Sequence, residues 1–169
     1  MVERSLSAGP FHWFGLLAVG FAAVIADQLT KQIVVNQLAL GDSVHVAGPL
    51  SIRHVRNPGI AFGLFSSWAS AVTILTAVAV GWMIVYFARS GARHPILPVA
   101  LGLLIGGSLA NLIDRLRLGH VTDFLDLRFW PAFNLADTFI VFGVGILLLA
   151  LIAAERQPRL RRTAPKTSG

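Results

Sequence analysis

Residues 138–154, TFIVFGVGILLLALIAA, form an uncharged apolar run between Asp137 and Glu155. A run of this kind approaches the ~20 residues that an α-helix needs to cross the hydrocarbon core of a bilayer. Three further apolar runs of similar length lie at 11–26, 68–88 and 95–113. A helix satisfies its own backbone hydrogen bonds in lipid, so we predict an all-α membrane protein with a bundle of four transmembrane helices.

Composition supports this class. The chain of 169 residues is 55% hydrophobic and 13% charged, whereas a soluble domain carries roughly 25% charged residues. It contains no cysteine, which excludes disulfides, thiolate metal sites and a cysteine nucleophile. The histidines show no metal-ligand spacing, so we predict neither a metal site nor another cofactor.

The distribution of positive charge orients the helices. Eight basic residues fall on one predicted side of the bundle, namely Arg4, Arg89, Arg93, Arg156, Arg159, Arg161, Arg162 and Lys166. Because cytoplasmic segments are enriched in Lys and Arg, we expect both termini in the cytoplasm. The segments at about 36–66 and 118–136 then face outward. We attribute the net charge of +6 to contacts with anionic lipid headgroups and not to nucleic-acid binding.

Three regions follow from this pattern. Residues 1–10 are predicted to be a cytoplasmic tail, residues 11–156 the four-span domain, and residues 157–169 a disordered basic cytoplasmic tail. Within the outward segment, alternating residue types and turn-forming Gly and Pro at 40–56 predict one or two short strands. One alternative is that the first span is a cleaved signal peptide, with Val24-Ile25-Ala26 as the cleavage site.

Five polar clusters interrupt or flank the apolar runs. They are DQLTK at 27–31, NPGIAF at 57–62, NLIDR at 111–115, GHVTDF at 119–124 and FNLAD at 133–137. With the predicted orientation, all of them fall on the outer side of the membrane. An acid near hydrocarbon is costly to keep and indicates a functional site by default. We therefore predict one site at the outer ends of the helices.

Helical spacing places some of these side chains together. Asp27 and Lys31 are four residues apart, and Asn111 and Asp114 are three apart, so each pair shares a helix face. Plainer alternatives remain at this stage. Asp27 and Lys31 are also compatible with a snorkelling pair at the interface, and Asp114 with a structural ion pair to Arg115.

The two sharpest candidates are Asp123 and Asp137. Two carboxyl groups that converge share one proton and are able to activate water for hydrolysis. The alternatives are that Asp123 caps a turn in a loop and that Asp137 is an N-cap for the fourth helix. Asp126 is expected to be a solvated loop acid. Three arginines, Arg53, Arg56 and Arg128, are expected to contact headgroups.

The five clusters, in this order, resemble those of the lipoprotein signal peptidases, also called signal peptidase II. The resemblance covers nearly the whole chain except the tails. One departure is Ala110, where the family commonly has glycine. The resemblance implies a four-helix protein of the bacterial inner membrane with a small extracytoplasmic β-cradle. It also implies an endopeptidase that removes signal peptides from diacylglyceryl-modified prolipoproteins by cutting before the lipidated cysteine.

The resemblance further implies the roles of individual residues. Asp123 and Asp137 would be the catalytic pair of an aspartyl protease inhibited by globomycin. We expect support or substrate binding from the polar residues around the pair, namely Asp27, Lys31, Asn57, Gly59, Asn111, Asp114, Arg115 and Asn134.

Protonation of the pair is expected to be unequal. Asp137 begins the fourth helix, where the macrodipole favours an anion, so it is assigned as the base and Asp123 as the proton holder. Two rival functions remain open. A small proton-coupled transporter would need acids spread through the depth of the membrane, and a non-catalytic scaffold would give no reason for two acids to converge.

Overall fold

The computed structural model describes residues 8–58, 69–90 and 94–162. These residues form four long helices: α1 (Pro10–Gln37), α2 (Ala69–Ser90), α3 (Leu97–Leu118) and α4 (Leu135–Arg162). Within the described ranges, all four are long and apolar enough to cross a membrane. The predicted four-helix membrane fold is confirmed.

The helix ends follow local sequence signals. Pro10 lies in the first turn of α1, where its missing N–H would have had no helical partner. Helix α3 ends at Gly119, whose left-handed backbone (φ 74°) lets its N–H donate to Arg115 O, as is typical of a glycine C-cap. Helix α4 continues to Arg162, so residues 157–162 are helical where the sequence predicted disorder.

Helix α3 is the centre of the bundle and packs against each of the other three helices. Its glycines allow close approach of the neighbouring helices. A Cβ at Gly106 would lie 2.5 Å from Gly20 O of α1, and a Cβ at Gly107 would overlap Ala136 O of α4. The first turn of α4 is therefore held directly against the backbone of α3.

A three-stranded antiparallel sheet lies outside the helices, in the order β1 (Ser43–Ala47), β2 (Leu50–Asn57) and β3 (Val121–Asp126). The strands predicted within 40–56 are present. Residues 121–126, in contrast, were expected to be a loop and instead form β3, with Val55 paired to Asp123. The partner strand lies far away in the sequence, so no local pattern marked this pairing.

The packing of helix α1 is relevant to the alternative that the first span is a cleaved signal peptide. It runs without interruption through residues 24–26, and its Gly20 and Ala23 contact Gly106 of α3. A span that is packed into the bundle in this way favours retention of the first helix over its removal.

Candidate active site

The described residues of the polar clusters meet at one end of the bundle, where the sheet lies beside the ends of α1, α3 and α4. Asp123 is 2% exposed on β3, and Asp137 lies in the first turn of α4. Both carboxyl groups line one cavity of about 190 Å³, together with Asn57, Asn111 and Arg115. A cavity of this volume with this many polar partners has room for several water molecules.

Asn134 joins the two aspartates. Its Nδ2 donates to Asp123 Oδ1 at 2.8 Å, and its Oδ1 accepts the backbone N–H of Asp137 at 2.9 Å. The backbone N–H of Asn134 in turn donates to Asp137 Oδ2 at 3.3 Å. This reciprocal arrangement is a capping box. The N-cap of α4 is therefore Asn134, and the alternative that Asp137 occupies that position is wrong.

Two further asparagines complete the hydrogen bonds of the pair. Asn57, at the end of β2, donates through Nδ2 to Asp123 Oδ2 at 2.9 Å. Asn111 of α3 donates through Nδ2 to Asp137 Oδ1 at 2.8 Å. Each aspartate thus accepts at least two N–H donors, which fixes the orientation of both carboxyl groups before a substrate arrives.

The surroundings of Asp123 favour its protonated form. Burial, and the negative charge of Asp137, raise the pKa of Asp123 from 3.8 to about 7, against the opposing effect of the hydrogen bonds from Asn57 and Asn134. Asp123 is therefore about half protonated at neutral pH, so a proton is available for general-acid catalysis.

A buried charge cluster lies beside the pair. The ammonium of Lys31 is 2.7 Å from Asp27 Oδ2 and 2.8 Å from Asp114 Oδ2, and it donates to Asn111 Oδ1 at 3.0 Å. Lys31 is 4% exposed. The snorkelling alternative for Lys31 is therefore wrong, since its ammonium is turned into the protein.

The acids of this cluster also tie secondary-structure elements together. Asp27 Oδ1 accepts the backbone N–H of Ala136 in α4 at 2.8 Å. Asp114 Oδ2 accepts the backbone N–H of Thr122 in β3 at 3.2 Å. Asp114 also pairs with Lys31. The segments carrying both aspartates are thus anchored to α1 and α3.

The remaining predicted residues differ in their placement. Arg115 lines the cavity, whereas Gly59 lies outside the described residues. Asp126 is only partly buried, lies 3.8 Å from Arg53 and accepts the N–H of Arg128. It is therefore not simply a solvated acid.

Sequence reasoning missed an apolar groove that adjoins the pair. It has a volume of about 360 Å³ and is lined by Leu127, Phe129, Trp130, Phe133, Asp137, Thr138, Val141 and Phe142. Trp130 and Phe133 line the polar cavity as well. The available signal was the concentration of aromatic residues at 129–133, next to a span, where amphipathic rings settle at the interface.

The fold and the site together define a multi-pass membrane protein with a hydrolytic type of site. The sequence profile of the signal peptidase II family matches residues 19–153. This chain belongs to the signal peptidase II family and is a membrane peptidase.

Relatives with assigned names agree with this membership. The chain is 43% identical over 143 residues to a lipoprotein signal peptidase of Moorella thermoacetica, covering 82% of this chain and 92% of that protein. It is 38% identical over 147 residues to one of Symbiobacterium thermophilum, covering 83% and 96%.

Solved structures show the same fold. A bacterial membrane enzyme determined at 2.3 Å resolution superposes with a TM-score of 0.78 and 30% identity, covering 91% of this chain and 94% of that one. A second, determined at 1.9 Å, gives a TM-score of 0.74 and 33% identity, covering 80% and 91%.

Proposed function

We propose that Asp123 and Asp137 are the catalytic pair of an aspartyl endopeptidase that removes signal peptides from diacylglyceryl-modified prolipoproteins, cutting before the lipidated cysteine. The observation that carries the proposal is that both carboxyl groups line one cavity and are joined through a single residue, Asn134. Peptide hydrolysis needs a base and an acid, and two aspartates that share a proton supply both.

The different surroundings of Asp123 and Asp137 indicate which of them is the base and which holds the proton. Asp137 lies at the N-terminal turn of α4, where the helix dipole stabilises an anion. It accepts hydrogen bonds from Asn111 Nδ2 and from the backbone of Asn134. Asp137 is therefore the resting base, and Asp123, with its raised pKa, holds the shared proton.

The reaction then follows without a covalent intermediate. Asp137 takes a proton from water while the water oxygen attacks the scissile carbonyl carbon, and Asp123 gives its proton to the carbonyl oxygen. The resulting tetrahedral diol collapses when a hydroxyl proton returns to Asp123 and the proton on Asp137 passes to the leaving amide nitrogen. The C–N bond breaks, and the pair again holds one proton.

The apolar groove supports a lipidated substrate. It starts at Asp137 and continues along α4 past Val141 and Phe142, two side chains that are 70% and 63% exposed. An apolar substrate segment or acyl chain placed there stays out of water at about 0.8 kcal/mol per buried methylene. Confinement to the membrane thus supplies much of the positioning of the scissile bond.

The position of the site also supports a location. We propose a bacterial inner-membrane protein with cytoplasmic termini and an active site just beneath the external headgroups. Among the described residues, the carboxylates of the four spans are Asp27, Asp114 and Asp137. They group toward the end of the bundle where a lipid-anchored cysteine would sit. Nothing in the described residues or in the comparisons favours the transporter alternative, which needs acids at several depths.

Cleavage of a lipid-modified precursor tests the catalytic pair. Asp123→Asn and Asp137→Asn are each expected to reduce kcat by about 10²–10⁴-fold, because each removes one partner in proton transfer. Mobility of the precursor on a gel, with purified full-length protein, measures the rate. Globomycin is expected to inhibit the wild-type protein.

Asp126→Asn is the matched control, since Asp126 lies on the same strand as Asp123 but does not line the cavity. Its rate is expected to stay within about twofold of wild type. Normal turnover by either Asp123→Asn or Asp137→Asn would refute the catalytic pair. Loss of activity on chelation would point to a metal-dependent reaction instead.

A further inference from the structure

We infer that Lys31 is a positioning residue for catalysis, because its buried ammonium holds the side-chain amide of Asn111 with an N–H, and not the oxygen, directed at Asp137. The inference rests on the proposed function, in which Asp137 is the base. Lys31 is not among the residues that line the catalytic cavity, so it acts through Asn111 and not on the substrate.

The chemistry of the ammonium decides the orientation of the amide. Lys31 Nζ lies 3.0 Å from Asn111 Oδ1, and its other two close partners are carboxylate oxygens of Asp27 and Asp114. An ammonium only donates hydrogen bonds. The atom of Asn111 that faces Lys31 is therefore the oxygen, and the nitrogen is left to face Asp137 Oδ1 at 2.8 Å.

Asn134 provides a second, weaker restraint on the same amide. Its Nδ2 lies 3.1 Å from Asn111 Oδ1, but it also lies 2.8 Å from Asp123 Oδ1 and 3.4 Å from Thr122 O. The two hydrogens on Asn134 Nδ2 are therefore shared among three acceptors. Lys31 makes a charge-assisted contact, which is stronger than one between neutral groups, so it dominates the choice of orientation.

The orientation of the Asn111 amide matters because it determines whether an N–H or a carbonyl oxygen faces the carboxyl group of Asp137. An N–H donor stabilises an ionised carboxylate, whereas a carbonyl oxygen in the same place would be satisfied only by a protonated one. Loss of Lys31 frees the amide to reverse, and the shared proton then moves toward Asp137. The base would be occupied at neutral pH.

Other charged groups are packed around the site. They are Asp27 on α1, Asp114 and Arg115 on α3, and Asp123 on β3. Lys31 and Arg115 are the positively charged groups that act on Asp137. A test must therefore separate the orientation of Asn111 from the loss of a positive charge.

Lys31→Met in the full-length protein is the first variant. We expect kcat for a lipid-modified precursor to fall by about 100-fold or more, with KM changed by less than about threefold, since Lys31 does not line the cavity of Asp123 and Asp137. The acidic limb of the kcat–pH profile is expected to move up by about one unit or more. A purely architectural role would leave that limb in place.

Lys31→Met/Asp114→Asn is the matched control, because it preserves the net charge of the cluster. It is expected to keep its fold, as followed by thermal unfolding in detergent, and to lose kcat to the same extent. A double-mutant cycle with Asn111→Leu then tests the route. In the Asn111→Leu background, Lys31→Met should lower kcat by less than about a further threefold, because the two side chains act as one unit.

Three results would overturn the inference. They are an acidic limb of the kcat–pH profile that does not move in Lys31→Met, losses that multiply independently across the cycle, and unfolding of both Lys31 variants. Asp137→Asn separates this failure from that of the proposed function. If Asp137→Asn is active, both fail; if it is inactive while Lys31→Met is normal, only the role of Lys31 fails.

Discussion

Asp123 and Asp137 are the same residue type in one cavity, yet their surroundings differ. Asp123 is enclosed on a strand with its pKa raised to about 7, and Asp137 opens a helix. We predict that kcat falls as the pH rises above about 7, because Asp123 then loses the proton it must donate. Initial rates between about pH 5 and pH 9 measure this, and a rate still rising at the alkaline end would contradict the assignment.

The protonation of Asp123 also makes the stability of the folded protein depend on pH. The pKa of Asp123 is higher in the folded protein than its ordinary 3.8, so the folded state binds the proton more tightly. The stability linked to that proton is full below about pH 4 and is lost as the pH rises through about 7.

We therefore predict that Asp123→Asn raises Tm over wild type at about pH 8 and that the gain vanishes near pH 4. Thermal unfolding in detergent at several pH values measures the difference. Asp126→Asn should show no comparable pH-dependent gain. A pH-independent difference for Asp123→Asn would count against the burial of an ionisable group at this site.

Between helices, the contact of α3 with the first turn of α4 sets the position of Asp137. A Cβ at Gly107 would meet Ala136 O and lie 3.0 Å from Ile140 Cγ1. We predict that Gly107→Ala destabilises the protein by about 1–3 kcal/mol. It should also lower kcat by about tenfold or more, since small displacements of a catalytic group are costly. Thermal unfolding and initial rates measure the two effects.

Gly145→Ala is the control for this helix contact. Gly145 lies in α4 as well, but a Cβ there meets nothing within 4 Å. Alanine is the better helix former by about 1 kcal/mol, so Gly145→Ala should be neutral or slightly stabilising and fully active. Equal losses in the two variants would show that the bundle tolerates neither and that the Gly107 contact is not special.

Across the whole molecule, orientation in the membrane decides which compartment the site serves. The basic residues at the ends of α2 and α4 predict cytoplasmic termini. The cavity lined by Asp123 and Asp137 lies at the other end of α4. A phosphatase that is active only outside the cytoplasm should be active when inserted at the β1–β2 turn near Gly48 and inactive when fused after Arg156. The reverse pattern would refute the orientation.

Much of the architecture was predictable from local sequence. Four apolar runs predicted four spans because the cost of burying polar backbone in lipid leaves helices as the solution. Turn residues and alternation at 40–56 predicted the first two strands. Because successive spans reverse direction, the five polar clusters were assigned to one end of the bundle, and Asp123 and Asp137 were candidates there before any coordinates.

Tertiary structure alone decided the partners. Strand β3 exists because β2 pairs with it. The side chain of Lys31 turns inward because its ammonium pairs with Asp114 and donates a hydrogen bond to Asn111, both on α3 and about 80 residues away. Asp27 reaches Ala136 across 109 positions. Hydropathy and turn signals are local. The acceptor that a buried donor meets depends on side-chain directions that are set only when the helices pack against each other.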